Sequence, residues 1–541
     1  MTGPAGATTM AEWPTRDLLA HRAATTPERT ALIDADADAG DGDASVEWTY
    51  ADFDRRVDRT AAALEDEGVV DDRLGVCMDT RPAFATVFFA AMRLGLTVVP
   101  LNVRETTDEL AAKVERTELE AVICESETES TALELAASTD GRRLPVLSVD
   151  EPESGSDADT ETDTDVQFLE ATAGGDSGSP SVDPVPLERD DTQLLLFTSG
   201  TSGEPKIVRL TVGNLVASAT ASAFRLGVDR NDRWLCCLPM YHMGGLAPIV
   251  RSTLYGTTVV IQREFDARET ARVMDEYDIT GVSLVPTMCK RLLDADWEPP
   301  ESLRFVLLGG APASSELLER CLEAGVPVHP TYGMTETASQ VATATPADVR
   351  EHEGTVGQPL VNTDVTIIDE DGDPVPSDEP GELVVSGPTV TPGYLDSDRT
   401  DEAFGDRGLH TGDVGYRDAD GRLRILNRRS DRIVTGGENV DPGEVVAILR
   451  EHPAVEDAAV VGLEDPEWSE RVAALVVPAA DAEVESNVDS LLAHCDEHLA
   501  GFKKPKMIAF ADSLPRTASG TVDREAVRDR LLEDGIDVDD R

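Results

Sequence analysis

Lysine is nearly missing from this 541-residue chain: there are six, against 105 acidic residues, and the formal net charge is −58. A surface so one-signed repels polyanions, which excludes general electrostatic attraction to nucleic acid or an anionic membrane. Aromatic residues are also few, at 4% of the chain. No apolar run reaches the ~18 residues of a membrane-spanning helix, and the N-terminus lacks the basic-then-apolar order of a secretory signal. Seven cysteines are scattered at Cys77, Cys124, Cys236, Cys237, Cys289, Cys321 and Cys495, without a CxxC pair. Odd number and scatter argue against a disulfide framework or a thiolate metal cluster, and imply reduced, buried thiols. A soluble, cytoplasmic protein is expected.

What is present is ample for a globular protein. Hydrophobic residues make up 40% and charged residues 28%, a balance that builds a core. The length implies more than one domain. Acidic excess with so little lysine reads as a halophilic coat, whose self-repulsion concentrated salt screens to a few ångströms.

Residues 1–10 are small and polar and should fray. Arg73–Met78 and Thr97–Leu101 read as short buried strands, and Phe53–Glu67 and Ala83–Leu94 as helices, the βα rhythm of a parallel sheet. From about 150 to 190 the chain turns acidic and loses large apolar side chains, as a solvated loop does. After Pro380-Gly381, strands at Glu382–Ser386 and Gly421–Leu426 suggest an antiparallel, β-rich subdomain. From about Asp431 a small α+β unit follows, with strands at Asp457–Leu463 and Val472–Pro478. Its helices are expected near Gly443–Glu451, Val488–Leu499 and Arg524–Leu532. The fold class is therefore α/β, with a large N-terminal domain over 1–430 and a small C-terminal domain over 431–541.

The densest chemical signal is Leu196-Phe-Thr-Ser-Gly-Thr-Ser-Gly-Glu-Pro-Lys206. An apolar run stops at hydroxyls and glycines and ends on a lysine. Gly200 and Gly203 let backbone N–H groups close on an anion, Thr198, Ser199, Thr201 and Ser202 add rotatable donors, and Lys206 adds a point charge. The pattern suits phosphate but fails the spacing of a P-loop NTPase.

Four more blocks follow: Tyr332-Gly-Met-Thr-Glu-Thr337, Thr411-Gly-Asp413, Arg428-Arg-Ser-Asp431 with Gly436-Gly-Glu-Asn439, and Pro515-Arg-Thr-Ala-Ser-Gly520. In this order they resemble the adenylate-forming superfamily of acyl-CoA synthetases, luciferases and peptide-synthetase adenylation domains. Three further segments narrow the resemblance to the 2-succinylbenzoate–CoA ligase group of menaquinone biosynthesis. They are Pro239-Met-Tyr-His-Met-Gly-Gly245, Arg251-Ser-Thr-Leu-Tyr-Gly256 and Leu307-Leu-Gly-Gly-Ala-Pro312.

The resemblance implies an ATP- and Mg²⁺-dependent ligase that forms an acyl-adenylate and then a coenzyme A thioester, with a mobile C-terminal domain. Its partners would be an aromatic dicarboxylic acid, ATP and CoA, without nucleic acid or membrane insertion; a homo-oligomer is left open. Thr198–Lys206 would hold the β- and γ-phosphates, Thr335 the α-phosphate and Glu336 the Mg²⁺. Tyr332 offers a face for adenine, though it reads equally well as a core aromatic. Asp413 and Arg428 would hold the ribose, Ser430 would be the hinge, and Gly436 and Gly437 would line the pantetheine path. His242 would gate the acyl pocket, with a structural role as the alternative. Gly309 and Gly310 would border the substrate. Arg251 is the candidate for a second substrate carboxylate, since a guanidinium matches a carboxylate in a fork; an exposed helix-end arginine is the other reading.

One position departs from the family. Gly520 is followed by Thr521 where the family has a lysine that bridges the substrate carboxylate and the α-phosphate. Either Arg516, Arg524 or a neighbour substitutes, or adenylation is slow or lost, leaving a nucleotide-binding protein. Another acyl- or aryl-CoA ligase is a further alternative. Lys503, Lys504 and Lys506 concentrate half of all lysines and suit a CoA phosphate or a surface loop.

Overall fold

The computed structural model describes residues 16–37, 47–69, 73–139, 144–151, 166–169, 182, 184–198, 205–428, 433–435, 438–440, 442–465, 469–479, 484–499, 501–517 and 521–538. The chain divides into two compact units. Met1–Glu351, Leu360–Asp364 and Ser386–Ala403 form the first; His352–Pro359, Val365–Val385 and Phe404–Arg541 form the second. The second unit thus begins well before residue 431 and takes in the antiparallel strands as well as the C-terminal segment.

The first unit is built on two sheets flanked by helices. One has seven strands in the order Val166–Phe168, Val146–Ser148, Ala121–Cys124, Arg73–Cys77, Thr97–Pro100, Thr192–Thr198, Lys206–Thr211. All neighbours are parallel except the last pair. The other runs through Val328–Met334, Phe305–Leu308, Gly281–Leu284, Arg233–Cys236, Thr258–Ile261 and Thr30–Asp34 in parallel, with antiparallel Ser339–Thr343 and Glu47–Thr49 at its flanks. Strands such as Ala121–Cys124 and Phe305–Leu308 are buried along their whole length. That is why their sequence is a continuous apolar run rather than an alternation.

Helix limits follow local chemistry. Tyr50–Asp66 starts at a capping box in which Thr49 and Asp52 satisfy each other's backbone N–H. Pro82–Leu94 opens on a proline, needing no N–H there, and stops at Gly95 in the left-handed region. The acidic stretch expected to be solvated throughout is not uniformly so: Val166–Phe168 extends the seven-stranded sheet, and Leu169 and Leu187 are buried. Scattered single apolar residues, invisible as a pattern, supply that edge.

The second unit holds two sheets. Asp364–Ile368, Gly381–Ser386, Gly408–Arg417, Phe404–Gly405 and Leu423–Arg428 make a five-stranded sheet. A six-stranded sheet is centred on Ser469–Pro478, which pairs antiparallel with Val455–Asp465 and parallel with Met507–Phe510. Helices Pro442–Glu451, Val484–His498 and Arg524–Asp534 accompany it, Val445, Leu449 and Leu491 packing in one core and Val527 and Leu531 in another. All seven cysteines are buried thiols. No described helix is long and apolar enough to cross a membrane.

Candidate active site

The glycine-rich segment joins two strands of a hairpin. Thr192–Thr198 and Lys206–Thr211 pair antiparallel, and Thr198 faces Lys206 across the register. Ser199, Gly200, Thr201, Ser202 and Gly203 lie outside the described residues. The Lys206 ammonium sits over the ring of Tyr394, 4.9 Å from its centroid. Sequence reasoning missed this tyrosine; the only signal was an aromatic after Pro392-Gly393 in a chain poor in aromatics.

Tyr394 is held by a strap of backbone. Asn214 Nδ2 donates to the carbonyls of Pro388 and Val390 at 3.0 and 2.9 Å. The Arg209 amide donates to Gly393 O at 3.1 Å and the Leu395 amide to Ile207 O at 2.8 Å. The Thr391 amide donates to Glu336 O at 2.7 Å. The Tyr394 hydroxyl then donates to Glu336 Oε1 at 3.0 Å. One buried aromatic therefore touches both the expected phosphate lysine and the expected metal carboxylate.

Glu336 lies in the one-turn 3₁₀ segment Thr335–Thr337 that follows Val328–Met334. The strand carries an irregularity between Tyr332 and Gly333. A Cβ on Gly333 would lie 1.7 Å from Ser339 O, so no other residue fits. Tyr332 is half-buried, neither a core residue nor fully exposed. The turn ends in unusual backbone, Ala338 at φ 50° and Ser339 at φ 115°. Non-glycine residues pay for such angles and keep them where the surroundings enforce them, often at functional sites. Here Ser218 Oγ holds Ala338 O at 2.7 Å.

Ser218 also connects to Arg251, whose Nη2 lies 3.5 Å from Ser218 Oγ. Arg251 is in the helix Met243–Tyr255 and only 2% exposed, which rules out an exposed helix end. Its guanidinium lies 5.4 Å from the Trp234 ring centroid, and its Nε has no hydrogen-bond partner. Among the described residues no carboxylate pairs with it, and burial lowers its pKa. A buried cation without a counterion is costly, and a substrate carboxylate would remove the cost.

His242 precedes that helix, stacked edge-on to Tyr241 at 4.9 Å. Burial, aided by the positive charges of Lys113 and Arg104, pushes it down to about 4. At neutral pH it is an uncharged imidazole, able to hydrogen-bond a carboxylate but not to pair with it as an ion. Gly309 and Gly310 follow the strand Phe305–Leu308; Gly310 takes φ +81°, a turn that favours glycine.

In the second unit Asp413 is buried in the strand Gly408–Arg417 and faces Arg428 in register. Thr411 Oγ1 donates to Leu383 O at 2.8 Å and accepts from the Asp413 amide at 3.1 Å. The Gly412 amide donates to Glu382 Oε1 at 3.2 Å, so the buried Glu382 holds this turn, a role the sequence did not reveal. The Arg428 side chain, Ser430, Gly436 and Gly437 lie outside what is described. Lys503 donates to both oxygens of Glu444 at 2.7 and 2.6 Å, and Lys504 pairs with Asp496. Both are thus engaged within the unit rather than held open for an anion. Thr521 Oγ1 meets Thr517 Oγ1 at 2.7 Å, and Arg516 pairs with Asp457 at 3.3 Å.

Residues 19–395 match the model of the AMP-binding enzyme family, and residues 444–521 that of the AMP-binding enzyme C-terminal domain. The chain belongs to the AMP-binding enzyme family. It is 35% identical over 521 residues to 2-succinylbenzoate–CoA ligase of Bacillus pumilus, covering 95% of this chain and 98% of that one. Its structure is similar to o-succinylbenzoate CoA synthetase of Bacillus subtilis in complex with the acyl-adenylate intermediate, with a TM-score of 0.81 at 32% identity, over 95% and 98% of the two chains. The same Bacillus subtilis enzyme with ATP and magnesium ion gives 0.81 at 32%, over 96% and 99%. The AMP-binding fold expected from the five motifs is the fold observed.

Proposed function

We propose that this AMP-binding enzyme joins 2-succinylbenzoate to coenzyme A at the expense of ATP, as a step of menaquinone biosynthesis. The observation that carries the reading is the cluster of Lys206, Tyr394 and Glu336, set in a chain that is similar over nearly its whole length to ligases of that acid. A carboxylate is a poor acyl donor because oxide is a hopeless leaving group. Attack of its oxygen on the α-phosphorus of ATP breaks the α–β anhydride, releases pyrophosphate and leaves an acyl-adenylate. The CoA thiolate then attacks the acyl carbon and AMP departs.

Thr198, Lys206 and residues 199–203 would take the β- and γ-phosphates, and Thr335 the α-phosphate. A hard cation wants carboxylate oxygen, and Glu336, with one oxygen steadied by Tyr394, fits Mg²⁺. Bound there, the ion would neutralise phosphate charge. Tyr332 would face adenine, Asp413 and Arg428 would hold the ribose, and Gly436 and Gly437 would admit the pantetheine arm after rotation about Ser430. His242, neutral, would hydrogen-bond the reacting carboxylate, Gly309 and Gly310 would line the acid, and Arg251 would bind its second carboxylate. The acid coat would serve function in concentrated salt.

The test is thioester formation from 2-succinylbenzoate, ATP, Mg²⁺ and CoA in high salt. Turnover of fatty or aryl acids with none of succinylbenzoate would overturn the substrate. Thr521 favours one second reading, a nucleotide binder without adenylation; acid-dependent exchange of pyrophosphate into ATP would eliminate it.

A further inference from the structure

The helix Val212–Leu226 packs beside the strand Ser339–Thr343 and carries serine in its interior, where serine is a weak helix former. A hydroxyl in mid-helix can turn back to the carbonyl one turn earlier. Thr220 does so, donating to Val216 O at 2.8 Å. Ser218, buried in the same helix, instead gives its only proton to Ala338 O at 2.7 Å, 120 positions along the chain. That carbonyl lies at the exit of the turn Thr335–Thr337, in the stretch where Ala338 takes φ 50° and Ser339 φ 115°. Glycine would adopt these angles freely, whereas alanine and serine hold them only at a cost. Thr337 braces the turn from within, its Oγ1 donating to Met334 O at 3.0 Å and accepting from the Met334 amide at 3.2 Å. Ser218 braces its exit from another element.

The same face of the helix reaches the other support of Glu336. Asn214 stands four residues before Ser218, hence on the same side, and donates to Pro388 O and Val390 O. Those carbonyls belong to the strap whose Thr391 amide and Tyr394 hydroxyl hold Glu336 by its backbone oxygen and its Oε1. One turn of helix therefore fixes both the strap that grips Glu336 and the backbone that leads away from it.

We propose that Ser218 is a positioning residue for Glu336: by holding Ala338 in the left-handed region, it keeps the carboxylate placed for the Mg²⁺ that accompanies ATP. The inference rests on the reading of Glu336 as the Mg²⁺ ligand and extends it to a buried hydroxyl of another element. Arg251 Nη2 lies 3.5 Å from the same oxygen, at the long limit of a hydrogen bond. Any effect of Ser218 through Arg251 would concern the acid, so the test leaves the acid out.

Calorimetric titration of the full chain with ATP in concentrated salt, with and without Mg²⁺, reads the gain in affinity that the ion brings. Ser218→Ala should cut that gain about three- to tenfold, the span of one neutral hydrogen bond, and leave the affinity for ATP alone as it was. Alanine is the best helix former, so the helix survives the change. Ser218→Thr keeps the hydroxyl and should keep most of the gain. Ala338→Gly takes left-handed angles without cost, so Ser218→Ala/Ala338→Gly should recover part of what Ser218→Ala loses. A role confined to packing would lower affinity equally with and without Mg²⁺ and would not respond to Ala338→Gly; either result overturns the proposal. An undiminished gain in Ser218→Ala overturns it as well. Absence of any gain from Mg²⁺ in the unaltered protein would remove the Mg²⁺ reading of Glu336 and this proposal together. If the variants behave as described while no thioester forms from any acid, the positioning role stands and the ligase reading falls. If thioester forms from 2-succinylbenzoate while Ser218→Ala keeps the full gain, the ligase reading stands and the positioning role falls.

Discussion

The hydroxyl of Tyr394 donates to Glu336 Oε1 at 3.0 Å while its ring lies under the ammonium of Lys206. Tyr394→Phe keeps the ring and removes only the hydrogen bond to a charged group, an interaction worth about 1.5–3 kcal/mol. The apparent KM for Mg·ATP should rise by roughly tenfold or more, and the KM for the acid should change little. Steady-state kinetics with each substrate varied decide this; equal effects on both would mean that Tyr394 shapes the site generally.

Arg251 is buried with no carboxylate beside it among the described residues, so Arg251→Met should split stability from activity. Removing an uncompensated buried charge in favour of an apolar side chain is often neutral or stabilising by about 1–4 kcal/mol. The thermal midpoint without substrate should therefore hold or rise. Use of 2-succinylbenzoate should fall by about 1.5–3 kcal/mol in kcat/KM, and a monocarboxylic analogue should suffer less. Equal losses for both acids would make Arg251 structural.

His242 carries a pH dependence whose sign is fixed by its environment. Its folded-state value is pushed down to about 4 from an ordinary 6.5. Between those values the unfolded chain binds the proton more readily, so the contribution is complete above 6.5 and is lost as pH falls towards 4. In His242→Gln the fall in stability over this window should be shallower than in the unaltered protein. Denaturant midpoints at pH 7.5, 6 and 5 compare the two, and parallel curves would refute a buried neutral imidazole.

Arg93 is 1% exposed and meets Asp17, Asp54 and Asp58 at 3.1, 2.6 and 2.5 Å. Asp17 is itself fully buried. Arg93→Met strands that carboxylate, so unfolding free energy should drop by about 3–5 kcal/mol. Asp17→Asn/Arg93→Met should recover part of the loss; no recovery would mean that packing, not charge, dominates.

Dialysis into low salt should cost activity and secondary structure, because the mutual repulsion of a −58 chain is then unscreened. Circular dichroism and thioester assays at stepped salt concentrations follow both. Full activity in dilute buffer would remove the halophilic reading.

Local rules made much of this protein legible from its sequence. The apolar run Leu194–Phe197 and the helical patterns Phe53–Glu67 and Ala83–Leu94 lie within a few residues of the strand Thr192–Thr198 and the helices Tyr50–Asp66 and Pro82–Leu94. The order of the motifs, and the family resemblance it carries, singled out Lys206, Glu336 and Asp413 as candidates for phosphate, hard cation and ribose. The sequence could not decide what depends on distant segments meeting. Tyr394 reaches Glu336 across 58 positions, and the burial of Arg251 follows from helix packing and Trp234. A guanidinium at the same sequence position could equally have faced water. Residue identity states which chemistry is available; desolvation and approach, which only the folded chain supplies, decide which of it is used.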